Sequence, residues 1–545
     1  MTTVALAGLA GALVATTAAT PSSAAPAAAA TSSHRITAAF PSNGRPMLPR
    51  LHPERVNDPV GLARAKADAE VYATAYAAGA PAATDTTTAG ASPTQVRTYN
   101  GVRESNSQPS DSTSAIGTSR HIETINTDYA IYSRTGSTPL ATGPLTGITG
   151  CATASCANDN VFDPQIIWDG QTNRFFFAAD DVDESVSPAN NYLSFGFSKT
   201  ASPGANAATD WCRYVIGYGT EFPDYPKLGD SKDFGLIGVN VFGSSFLRSD
   251  LVAIGKPPSG TTCPNPSTFA FGIGKNLRAQ GGTAGAFTPV PANQTDANAT
   301  GYAVARLLSL PSTGGTALVT FKITKNATTG QPVIQTTGDN VTVPAYKTPA
   351  DVPQPGTGDK LDSSDTRPSQ AVSAVDPLHG GKVGLWTQHT VLGGPGAQVR
   401  WYEIDPVAHT LLQTGTVTSG TSFVFNGAIS PDRVVKGTTS AFGGNMLITV
   451  NQGSSTAKVG IYVASKKGTA AQSTPVLVKL STNIDQGFGS GCSGSCRWGD
   501  YAAASPDPGA ATTGASGAVW ITSMYNGPSN PGGANWATWN AAYRP

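Results

Sequence analysis

Charge is scarce in this 545-residue chain. Charged residues make up 13% of it, about half of the roughly 25% typical of soluble domains. The formal net charge is +0, with neither a basic excess nor a basic stripe, which excludes a nucleic-acid partner and a polybasic membrane-surface segment. Long apolar runs are missing as well. Beyond the N-terminus no segment reaches the about 20 apolar residues that cross a bilayer. There is no G-x-S-x-G elbow, no H-E-x-x-H, no P-loop and no dinucleotide fingerprint leading into a helix, which argues against serine-hydrolase, zinc-protease and nucleotide chemistry. The Glu, Lys, Arg and Leu of a helical bundle give way to 61 glycines and 40 prolines, with much Ala, Ser and Thr. That composition suits many short strands joined by tight turns.

The first 33 residues carry no charge. Val4 to Val14 reads as a short apolar core, and Ala25-Pro26-Ala27 offers a small-residue cleavage site. Thr16, Thr17 and Thr20 interrupt the run too early for a membrane span. Residues 1–30 therefore read as a signal peptide, although the usual basic start is missing, and the protein as secreted. The six cysteines fit that compartment. Cys151 with Cys156 and Cys492 with Cys496 are local pairs, leaving Cys212 with Cys263. In the loop-entropy model the long bridge stabilises by about 4 kcal/mol and the short ones by about 2. Zinc is the rival use, disfavoured by the spacing and by the lack of a nearby His.

One helix stands out. Asp58 to Ala78 offers Asp58 as N-cap, Pro59 at the first helical position and Gly79 at the end. It runs into an Ala/Thr-rich linker, so residues 31–94 read as a propeptide-like or loosely attached arm. From 95 to 545 the texture changes to short strands, and one pattern recurs: Asp, Tyr, Arg or Asn beside Pro or Gly, a brief strand, a turn, then apolar strands. Asp111-STSAIG leads into RHIETIN, Asp163-PQIIWD into NRFFFAADD, and Asp224-Tyr225-PKLGD into FGLIGVNVF. A degenerate copy starts near Thr288. Arg367-PSQAVSAV, Asn426-GAISP and Trp498-GDYAAASP open the rest. Starts roughly 50 to 80 residues apart in a strand-rich chain predict the blades of an all-β propeller, seven of them, or six if the Thr288 unit is an insertion. A pair of β-sandwiches would explain the strands but not the repeated start. Residues 95–102 are placed to close the ring by completing the last blade, which would hide its edges.

ETINTDYAIYSRTG, DPQIIWD-x-x-TNRFFF, LSFGFSKTASPG, DYPKLG, RPSQAVSA and RWGDY together resemble the sialidase-like β-propellers of secreted bacterial proteins, over about 111–540. No intact S-x-D-x-G-x-T-W box is present and no arginine triad can be assembled. The resemblance therefore implies architecture, and a glycan-facing central channel, more than sialidase chemistry.

The polar blade starts are the candidate site. Asp163, Asp224 and Asp500 are candidate catalytic carboxylates, with Tyr225 or Tyr501 as an alternative nucleophile. Asp111, Lys227, Arg367, His389, Asn426, Arg497 and Trp498 are candidates for binding substrate. Carboxylates and Asn suit sugar hydroxyls, Arg holds a carboxylate bidentately, and Trp or Tyr stacks on a sugar face. A plain structural role is open to each, since Asp before Pro also caps turns. The reading is a secreted carbohydrate-active protein of glycoside hydrolase type, acting on an extracellular glycan as a monomer without a cofactor. A non-catalytic binding propeller and a polysaccharide lyase are the alternatives; a lyase would draw on His389 as base with Arg367 and Tyr501. The run Asp180, Asp181, Asp183, Glu184 is dense enough to suggest Ca²⁺ but lacks the loop spacing, so it reads as a solvated connection.

Overall fold

The computed structural model describes residue 1 and residues 34–42, 50–51, 54–79, 89–103, 106–204, 207–308, 314–488, 492, 494–531 and 533–545. The expected signal peptide, past Met1, and most of the expected linker lie outside these residues. All that follows concerns the unit His34–Pro545. None of its described helices is long and apolar enough to cross a membrane.

Seven sheets of four or five strands, antiparallel but for one short edge strand, follow one another along the described chain. We designate them I to VII. Their first strands are Thr113–Ile116, Asp159–Asp169, Phe222–Asp230, Ala286–Pro291, Ala371–Asp376, Phe423–Pro431 and Ala503–Pro506. Each sheet is built outward from its first strand by successive antiparallel pairings, and in sheet V the short strand Asn293–Gln294 adds a parallel pairing on the other side of Ala371–Asp376. The unit near Thr288, most degenerate in sequence, forms a full sheet around Gly301–Leu307 and Gly315–Lys325. The first strands also touch in chain order, and Ala503–Pro506 returns to Thr113–Ile116. This is a β-propeller.

Closure uses both ends of the described chain. Sheet VII takes Ala503–Pro506, Val519–Asn526 and Trp536–Arg544 from the C-terminus, and its outer strand, Thr94–Asn100, comes from near the N-terminus. Tyr99 of that strand then packs with Trp520 and Ala542 against Ile116 and Tyr132 of sheet I. The same principle runs round the ring, because a single sheet buries neither face alone. Phe176, Phe195 and Phe197 of sheet II meet Leu228, Ile237 and Val239 of sheet III. Trp386, Val399 and Trp401 of sheet V meet Ile429, Ile448 and Val450 of sheet VI. The inner strands are buried on both faces and read as continuous runs. Outer strands such as Asp339–Tyr346 mix buried and exposed positions.

The three disulfides pair as expected: Cys151–Cys156, Cys212–Cys263 and Cys492–Cys496. The expected helix spans Pro59–Ala77, with the Asp58 carboxylate accepting from the Gly61 amide at 2.9 Å and Gly79 just beyond its end at φ 119°. The segment expected to hang loosely is instead held at several points. Ile36–Ala38 adds a fifth strand to sheet II. Ala69 packs with Val352 and Trp498. Lys66 donates to Asp351 at 2.6 Å and to Ser363 at 2.8 Å. Short side chains on one helical face let the helix lie close to the ring, and one lysine ties it down.

Candidate functional site

Four of the recurring polar starts are β-bulges. In sheet II, Phe162 faces Asp180 and Gln165 faces Ala178, so Asp163 and Pro164 together oppose Ala179. Sheets III, IV and VI repeat the arrangement with Tyr225-Pro226, Thr288-Pro289 and Asn426-Gly427. The first bulge residue is left-handed in every case, with φ of 54° at Asp163, 59° at Tyr225, 55° at Thr288 and 47° at Asn426. Asp and Asn tolerate that region, whereas Tyr and β-branched Thr occupy it only when their surroundings impose it. Pro fits the second position because an unpaired bulge residue has no ladder hydrogen bond to lose. Side chains of the preceding sheet hold three of these bulges through the amide of the first residue. Asn126 accepts from Asp163 N at 2.9 Å, Asn240 from Thr288 N at 2.8 Å and Thr390 from Asn426 N at 3.3 Å.

The bulges aim side chains at a central pocket with a cavity volume of about 70 Å³, lined by Asp111, Asp163, Asp224, Tyr225, Arg367 and Asp500 among others. An adjoining pocket of about 20 Å³ shares Tyr225, Arg367 and Asp500 and adds His389 and Asn426. Carboxylate oxygens of Asp163, Asp180 and Asp224 all lie within 4.8 Å of one another. Burial first, then the neighbouring carboxylates, pushes Asp163 up to about 7. Burial also lifts Asp224 to about 7, against the pull of Arg367 and Arg55. Asp163 accepts from the Tyr501 hydroxyl at 2.7 Å. Among the described residues neither Asp180 oxygen has a hydrogen-bond partner, and burial raises its pKa well above the carboxylate range.

Asp180 was missed. Its acidic run is no solvated connection, because Asp180, Asp181 and Asp183 all lie buried in the strand Arg174–Asp183. The carboxylates of Asp163, Asp180 and Asp224 could hold a hard cation such as Ca²⁺ by chemistry, or share protons.

The opposite wall is cationic. Arg367 gives Nε and Nη2 to Asp365 at 2.8 and 3.0 Å. Arg497 reaches Asp362 at 2.7 Å and Asp500 at 2.6 Å. Short pairings among Val352–Pro353, Lys360–Leu361 and Ser495–Cys496 bring these two loops together, and the Cys492–Cys496 bridge sits beside Arg497. Asp111 is a linchpin, accepting from the Asp500 amide at 2.7 Å and from Asn126 at 2.8 Å. Tyr225 and Tyr501 stack edge to face at 5.0 Å, with the Lys227 ammonium 4.0 and 3.3 Å from their centroids. Burial drives that lysine's pKa down.

Two expected site residues serve elsewhere. Trp498 is fully buried, donates to Asn451 at 3.1 Å and packs on Phe425, so no sugar can stack on it. His389 reaches the pocket wall, but Nδ1 meets the Thr366 carbonyl and Nε2 the Tyr402 hydroxyl, each at 2.9 Å. Burial holds it down at about 3. A neutral imidazole with both nitrogens engaged is a poor base.

No family model and no curated protein matches the chain. Among solved structures it is similar to an N-acetylgalactosamine deacetylase from F. plautii in complex with blood group B trisaccharide, at 8% identity and TM-score 0.31, covering 84% of this chain and 95% of that one. It is similar to the hemagglutinin-neuraminidase of Parainfluenza Virus 5 at 9% identity and TM-score 0.29, covering 71% and 94%. A quinohemoprotein alcohol dehydrogenase from Comamonas testosteroni gives 10% identity and TM-score 0.30, covering 83% and 76%. At such scores these likenesses say nothing about activity.

Proposed function

We propose that the seven sheets are the blades of one propeller, and that its central pocket binds and cleaves an extracellular glycan by glycoside hydrolase-type chemistry. The observation that carries this is the buried pair Asp163 and Asp224, both held near neutrality beside two arginines. A carboxyl of pKa about 7 can keep its proton at working pH and deliver it to a leaving oxygen. The charge of Arg367 favours the Asp224 anion, and that anion in turn raises Asp163. Asp163 is therefore the acid and Asp224 the nucleophile, the pair titrating as one unit. Carboxylate oxygens within 4.8 Å suit the about 5 Å of retaining enzymes better than the 6.5–9.5 Å of inverting ones. The engaged His389 weighs against a lyase. Three disulfides support secretion.

The test is a polysaccharide panel followed by reducing-end assay and ¹H NMR of the first-formed anomer. New reducing ends with retained configuration are expected. Silence across the panel with glycan-array binding intact would leave a binding propeller instead.

A further inference from the structure

We infer that the central pocket is a binding site for the chain's own segment Glu54–Asn57, and that an incoming ligand must displace this segment to reach Asp163 and Asp224. Only the identity of that ligand rests on the glycan reading; the occupancy does not.

Two of four consecutive residues, Glu54 and Arg55, line the pocket, and Asn57 is held beside it. The Arg367 guanidinium donates to the Arg55 carbonyl at 2.9 Å and lies 3.2 Å from the Glu54 carboxylate. Arg306 donates to the Asn57 side chain at 2.7 Å. The Arg55 guanidinium lies 4.5 Å over the Phe222 ring and 5.9 Å from Phe242. Glu54 and Arg55 line the same space as Asp163 and Asp224. The segment brings one carboxyl to the arginine wall, where burial and Asp362 raise its pKa against the pull of Arg367, and one guanidinium to the acid wall, where its charge favours the Asp224 anion.

The way it is held resembles a tethered ligand more than a piece of the propeller. Residues 54–57 belong to no strand, and the contacts above are made to side chains of the ring. On one side Arg50–Leu51 pairs with Ser107–Gln108. On the other the helix from Pro59 is fastened by Lys66. A ligand tied at both ends has a high effective concentration. A competing ligand then sees its affinity reduced by the fraction of molecules in which the pocket is open.

The test uses the intact protein and needs no glycan. Phenylglyoxal modification of Arg367 is followed by peptide mass spectrometry in the wild type and in the double variant Glu54→Gln, Arg55→Gln. Exposed Arg544 and buried Arg174 serve as internal references for reagent and fold. The wild-type Arg367 should react slowly, and the variant about tenfold faster or more, the equivalent of a lost interaction of about 1.4 kcal/mol. A synthetic peptide of residues 50–60 should slow it again. An unchanged Arg367 rate with Arg174 still protected overturns the inference. If Arg174 also becomes reactive, Asn57→Ala, which removes only the Arg306 contact, decides: faster Arg306 modification supports the segment as occupant, and no change overturns it. A silent glycan panel leaves this result standing, so the two readings fail separately.

Discussion

The two walls of the central pocket are built from the same kinds of charged residue, yet they are in opposite condition. On the arginine wall each cation has found an anion: Arg367 lies on Asp365, and Arg497 on Asp362 and Asp500. On the acid wall Asp163, Asp180 and Asp224 crowd together, and Asp180 has no hydrogen-bond partner among the described residues. Burial alone would raise Asp365, but Arg367 and Arg306 outweigh it and hold that carboxyl well below its usual range. Burial and like charge instead lift Asp163 and Asp224. The difference separates a settled scaffold from a poised pair. Chemistry belongs to the wall whose proton is loosely assigned.

The comparison breaks most sharply by substitution at the acid wall. Asp163→Asn or Asp224→Asn should lower turnover by about 10² to 10⁴-fold, the usual worth of a general acid or base, with the melting temperature not lowered. An equal loss of fold and activity would place these carboxylates with the scaffold. Asp365→Ala should do the reverse. Leaving Arg367 and Arg306 without their shared carboxylate should cost about 3–5 kcal/mol of stability, measured by denaturant unfolding at pH 7. Because that carboxyl is depressed, its contribution is present at neutral pH and disappears as pH falls through the acid range below about 4.

Asp180→Asn sharpens the contrast with a smaller effect of opposite sign. A buried carboxyl whose folded pKa is raised binds a proton in the folded state that the unfolded chain has released. Its penalty is absent below about pH 4 and grows as pH climbs toward the folded value. The variant should therefore melt higher than wild type at pH 8, by about 1 kcal/mol or more, and show little change at pH 4. A variant that melts lower at both pH values would mean that Asp180 is paired after all, for instance through a bound cation. The smallest effect is expected from His389→Gln. It should leave the titration of turnover near pH 7 in place, since that ring stays neutral far above its pKa of about 3.

Much of the ring was legible because several blades use the same local device. Four of the seven inner strands bulge, and there a left-handed residue followed by Pro or Gly writes the bulge into the sequence, as at Asp163-Pro164, Thr288-Pro289 and Asn426-Gly427. The looser pattern of polar starts marked Asp111, Asp224, Tyr225, Arg367, Arg497 and Asp500, which do converge on the pocket. Asp180 escaped because it sits on a second strand, opposite Phe162. A carboxylate in the middle of the apolar run FFFAADDVD was the signal, and its acidic neighbours masked it. Glu54, Arg55, Asp362 and Asp365 lie in irregular segments, where only the tertiary fold decides what they face. Trp498 failed in the other direction. Its place beside Arg497 suggested a stacking platform, but the ring fills a wedge against Phe425.

The central claim is that Asp163 and Asp224 form a proton-sharing pair near neutrality. Carboxyl ¹³C NMR of the Asp-labelled protein, assigned with Asp163→Asn and Asp224→Asn and followed from pH 4 to 9, tests it without any substrate. The account predicts that both resonances titrate near pH 7 and that each substitution lowers the midpoint of the remaining partner. Two independent titrations completed below pH 5 would contradict it.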